Sequence, residues 1–118
     1  MTRGETRKTL RRFRCTFPRF YQDISSKEVE EVLDEWEKAF SDTDYEAVSI
    51  AVDKYLKIGK YPPTIADIWE IVEELTRKIE RFVKTGEKDG EPVGRWIEVP
   101  YYKLEEFDRK RKMEGNAQ

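Results

Sequence analysis

Two adjacent prolines, Pro62 and Pro63, interrupt the chain where no helix can pass. Each lacks an amide donor and forces the residue before it into extended backbone, so Tyr61 to Pro63 must form a corner. Upstream, Tyr45, Val48, Ala51, Val52, Tyr55 and Leu56 recur at helical spacing. Gly59 stands where a left-handed helix terminus is wanted, and Lys57 and Lys60 suit the negative C-terminal end. Downstream, Thr64 can cap the Asp67 amide and Pro63 can staple against Ile68. Ile65, Ile68, Ile71, Val72, Leu75, Ile79, Phe82 and Val83 then predict a fourth helix, ending near Lys84 before Gly86.

The same punctuation organises the first half. Leu10, Phe13 and Phe17 share one helical face, and Pro18 limits a first helix to about Thr6–Thr16. Ser25 and Glu28 form a capping box ahead of Val29, Val32, Leu33, Trp36, Ala39 and Phe40, predicting a second helix over Ser26–Ser41. Thr43 and Glu46 repeat the box before the third. Beyond Gly86 the patterning weakens. Lys88-Asp89-Gly90-Glu91 reads as a turn, Arg95 to Val99 as a short strand or extended segment closed by Pro100. Leu104, Phe107 and Met113 give a short fifth helix. The predicted fold class is all-α: a small orthogonal, bundle-like domain of four helices over residues 1–86, followed by a weakly structured C-terminal tail, 87–118.

A chain of 118 residues carries one small core. Its charge is graded. Residues 1–20 hold seven basic side chains and one acidic; residues 21–80 hold seven basic and sixteen acidic. The acidic middle disfavours nonspecific duplex binding and leaves the basic arm as the candidate for phosphate contact. The sequence contains no histidine and no GxxxxGK[ST] loop, which removes the commonest general base, the commonest zinc ligand and a P-loop. Cys15 stands alone, so no intramolecular disulfide forms, and it reads as a small buried or half-buried side chain. No apolar run reaches membrane-spanning length. No catalytic, cofactor-binding or metal-binding residue is expected, and no enzymatic activity.

Binding candidates remain. Arg7, Lys8, Arg11, Arg12 and Arg14 on the first helix either contact nucleic acid or form a solvated, charge-neutralising strip. Glu30, Glu31, Asp34, Glu35 and Glu37 either dock a basic surface or face water. Trp36 and Trp69 fall on apolar stripes and read as core; Trp96 is a satellite packing residue or a partner anchor.

Three pieces together, Phe17-Pro18-Arg19-Phe20-Tyr21, the helix SSKEVEEVLDEWEKAF, and the helix and corner DTDYEAVSIAVDKYLKIGKYPPTIADI, resemble the phage helicase loader and inhibitor family. The resemblance covers about residues 13–75, and the segment from Lys84 to Gln118 does not match the family's tail. It implies a helical N-terminal domain and a flexible C-terminal part that carries the main helicase contact. It implies a cytoplasmic protein of an infected bacterium that binds the hexameric replicative helicase, holds it inactive and helps load it at the origin, with an origin-binding initiator as a further partner. Trp96, Tyr101, Tyr102, Leu104 and Phe107 are then the candidate partner-binding residues, a tail that orders on its target. Two rivals stay open. One is a helix-turn-helix DNA-binding regulator, although Thr64 to Trp69 is poor in basic donors. The other is a small acidic protein–protein inhibitor of another host enzyme.

Overall fold

A computed structural model describes residues 1–116, with side chains up to Met113; residues 117 and 118, the end of the expected tail, lie outside the described residues. The chain forms two compact units, Met1–Glu73 and Glu74–Gln118.

The first unit is built from α1 (Arg3–Thr16), α2 (Ser26–Ala39), α3 (Tyr45–Ile58) and α4 (Ile65–Thr76), the last running three residues past the division. Its core is aromatic where α1 meets α2. Phe13, Phe20, Trp36 and Phe40 are buried, with ring centroids 5.5 Å apart for Phe13–Phe20 and for Phe13–Trp36. Ala47, Val48, Ala51 and Val52 of α3, and Ile68 and Val72 of α4, complete it. Burial of a side chain such as Phe13 contributes about 1.5–3 kcal/mol. Thr6 and Thr9 are also buried, and each hydroxyl donates to the carbonyl one turn back, at 2.8 and 3.0 Å, so neither buries an unpaired polar group.

Capping fixes the helix starts, with differences from the sequence pattern. The α1 start lies earlier than Thr6 because Thr2 and Glu5 form a full capping box, with bonds of 3.2 and 2.7 Å. Ser25 accepts from the Glu28 amide at 3.2 Å. The cap of α3 is Asp44, one residue later than a Thr43 box requires. The α4 box forms in both directions: Asp67 N–H donates to Thr64 Oγ1 at 3.2 Å, and Thr64 N–H donates to Asp67 Oδ2 at 2.9 Å. Gly59 is not left-handed, its φ being −74°. A Cβ there would lie 2.5 Å from Tyr55 Cε1, so glycine serves to admit the Tyr55 ring. That ring's hydroxyl donates to the Tyr61 carbonyl at 2.9 Å and ties α3 to the proline corner.

The second unit corrects the all-α expectation. The fourth helix stops at Thr76, and the chain continues as β1 (Lys78–Lys88) and β2 (Glu91–Pro100), an antiparallel hairpin, then a 3-10 turn over Tyr101–Lys103 and α5 (Leu104–Asn116). The fold is α+β, and the residues expected to form a weakly structured tail are a strand and a helix. Ile79, Phe82 and Val83 fit helical spacing from Leu75. Ile79 and Val83, four residues apart, fit one face of a strand as well, and cross-strand partners decide between the two: Ile79 pairs with Val99, Arg81 with Ile97 and Phe82 with Trp96. The two-residue loop has φ of 55° at Asp89 and 82° at Gly90, the left-handed pair that follows strand twist. A bulge at Thr85 shifts the register, and the Thr85 hydroxyl donates to the Val93 carbonyl at 3.2 Å. Gly94 permits a close approach, since a Cβ there would overlap the Val83 carbonyl. Among the described residues no third strand joins, so both strands are edges.

Candidate partner-binding surfaces

The turn between α1 and α2 builds one wall of a surface groove. Tyr21 and Asp23 both have left-handed backbone, with φ of 49° and 62°. For an aromatic residue this conformation costs on the order of 1–3 kcal/mol. It brings the Tyr21 ring edge-on to Phe20, centroids 4.5 Å apart, and lets Trp36 Nε1–H donate to its hydroxyl at 3.5 Å. The groove encloses roughly 290 Å³. Leu10, Ile24, Val29 and Val32 form an aliphatic floor, and Arg7, Arg11 and Arg14 stand along one lip.

The five basic residues singled out on α1 therefore do not act as one face. Arg7, Arg11 and Arg14 follow the groove, Arg12 is paired with Asp53 of α3, and Lys8 is exposed. Arg3, not singled out in the sequence, reaches three carboxylates of α2: Glu30 at 2.5 Å, Glu37 at 2.9 Å, and Asp34. Hydrogen bonds from Glu37, then Asp34 and Glu30, hold its guanidinium still more firmly protonated than usual. The spacing of those acids at i, i+4 and i+7 was the available signal, since it makes one stripe that a facing helix can answer. The acidic face of α2 is thus partly taken up within the unit.

In the second unit the five partner-binding candidates are divided. Strand alternation puts Trp96 and Phe82 on one face of the ribbon, with ring centroids 5.5 Å apart, and Trp96 is 68% exposed. Arg81 lies on the other face, where Nε–H donates to Asp108 of α5 at 3.3 Å. Tyr101 is 40% exposed, with the Arg77 guanidinium 4.4 Å above its ring. Tyr102, Leu104 and Phe107 are half-buried.

Other residues depart from expectation. Cys15 is exposed rather than buried. Trp36 is fully buried, but Trp69 is 38% exposed, resting 5.4 Å from the Phe40 ring. Among the described residues no group of three His, Cys, Asp or Glu side chains is arranged to hold a metal ion, and no helix is long and apolar enough to cross a membrane.

A family model for the N-terminal domain of the phage gene 39 protein matches residues 1–69. The chain belongs to that family. Its members are phage helicase loaders, and membership implies interaction with a replicative helicase. Comparisons with curated proteins and with solved structures returned no match. The family match takes in α1 to α3, the proline corner and the start of α4, and so includes the groove and its arginines. The hairpin and α5 lie outside it.

Proposed function

We propose that this protein is a phage DNA-replication accessory protein that binds the hexameric replicative helicase, holds it inactive and helps load it at the origin, without hydrolysing ATP itself. The family match over residues 1–69 carries this reading. With no nucleotide-binding loop in the sequence, the protein works by binding one helicase state more tightly than another. Moving a two-state helicase from almost wholly active to almost wholly inactive requires a preference of about 10⁴-fold. Release follows when nucleotide, DNA or an origin-bound initiator favours the other state.

Within this reading the second unit supplies apolar anchors. Trp96 projects from a strand and Tyr101 from the turn that follows, both with large exposed ring area. Exposed aromatic residues of this kind are the usual energetic centres of protein interfaces. Tyr102, Leu104 and Phe107 support them from beside the hairpin. The site of action is the cytoplasm of the infected bacterium.

The test is binding of the full chain to the cognate hexameric helicase with an ATP analogue, with ADP and without nucleotide, alongside an unwinding assay. Binding that depends on nucleotide and suppresses unwinding is expected; absence of binding in every state refutes the reading. The double variant Trp96→Ala and Tyr101→Ala weakens binding at least tenfold, and unchanged affinity would remove the hairpin from the interface.

A further inference from the structure

We propose that the groove between α1 and α2 receives an acidic amphipathic segment of the helicase. Its apolar side chains lie on the aliphatic floor and its carboxylates meet Arg7, Arg11 and Arg14. The inference rests on the helicase-binding reading and adds to it a second contact, on the first unit.

Charge complementarity identifies the occupant. Of the arginines on α1, Arg3 and Arg12 are committed to carboxylates of α2 and α3. Arg11 and Arg14 make no ion pair among the described residues, and Arg7 reaches only Glu30, at 3.9 Å. The uncommitted cations are therefore the ones on the groove lip. Their spacing at i, i+4 and i+7 places them along two helical turns, a rise of about 10.5 Å. Carboxylates at the same spacing on an incoming helix match that row, and Arg suits carboxylate recognition through its planar fork.

The floor selects a peptide over a nucleic acid. Leu10, Ile24, Val29 and Val32 offer neither hydrogen bonds nor stacking faces, and Val29 is 37% exposed in the free chain. Glu30 also lines the groove, and Asp34 and Glu37 follow it along α2. A polyanion charged along its whole length would be driven against these carboxylates. A peptide can place its acids over the arginines alone. The helix-in-groove mode needs a shaped receptor, and the Phe20–Tyr21–Trp36 contacts hold the wall in place before binding.

The test uses the full chain and the helicase hexamer. Arg11→Glu with Arg14→Glu is expected to weaken binding at least tenfold while leaving the far-UV circular dichroism melt unchanged. Arg11→Gln with Arg14→Gln should lose less and should flatten the salt dependence. Lys54→Glu, on an exposed position away from the groove, serves as the control and should bind as the parent does. If both groove variants bind with parental affinity, the inference is wrong and the helicase reading survives. If the parent chain does not bind the helicase, both fall. If the variants lose affinity for a single- or double-stranded oligonucleotide and keep it for the helicase, the lip is a nucleic-acid surface and the inference is again wrong.

Discussion

Arg3 shows how a single cation can orient two helices. Three carboxylates one turn apart on α2 converge on its guanidinium. Removing it leaves three like charges in a row. Arg3→Ala is expected to lower the melting temperature, and the difference from the parent should shrink between low salt and 1 M salt, where screening shortens to about 3 Å. Thermal melts at the two ionic strengths check this. Tyr55 gives a pH-dependent counterpart. Burial first, and the Asp67 charge second, raise its pKa above the ordinary value. The folded state therefore keeps the phenol proton longer than the unfolded chain does. The resulting stability is fully present below pH about 10 and is lost as pH rises through the folded pKa. Tyr55→Phe should abolish that alkaline loss. At neutral pH it should cost about 0.5–1.5 kcal/mol through the missing bond to the Tyr61 carbonyl. Urea titrations of both proteins at pH 7 and above pH 10 separate the two effects. Neither residue's role could be read from sequence, because each depends on which helix crosses which.

Among the elements, local chemistry was legible where it is self-contained. The Thr64–Asp67 box formed as its residues suggest, and Thr64→Ala should cost about 1 kcal/mol in denaturant unfolding. The same reasoning failed from Lys78 onward. Ile79 and Val83 satisfy periods of both 3.6 and 2, and the preceding helix biased the choice. The contrary signal was Asp89-Gly90, a hairpin turn flanked on its far side by the alternation of Arg95 to Val99. A turn of that type needs a strand on each side, so the segment before it had to pair. Gly94→Ala tests the pairing, because the added methyl meets the Val83 carbonyl. Amides of β1 and β2 should lose hydrogen-exchange protection while those of α1 to α3 keep theirs.

At the scale of the whole molecule, the first unit buries its aromatic cluster among its own helices. A chain ending after Arg77 is expected to retain a cooperative helical melt, which circular dichroism would reveal; a broad, non-cooperative transition would show that the second unit is needed. The groove was not legible in the sequence, since its residues come from α1, the following turn and α2 and look ordinary in any one of them. The arginines were visible, but not their division between partners inside the protein and a lip that faces outward. The two-stranded ribbon has a colloidal consequence. With no inner strand, it exposes a row of unpaired amides and carbonyls along each side. Lys78, Glu80, Arg81, Lys84, Glu87 and Lys88 crowd the first strand with charge, so ribbons from separate molecules repel or misalign before they can stack. Acetylating the three lysines would strip much of that protection beside Phe82 and Trp96. Fibrils growing edge to edge are the state from which these charges keep the protein.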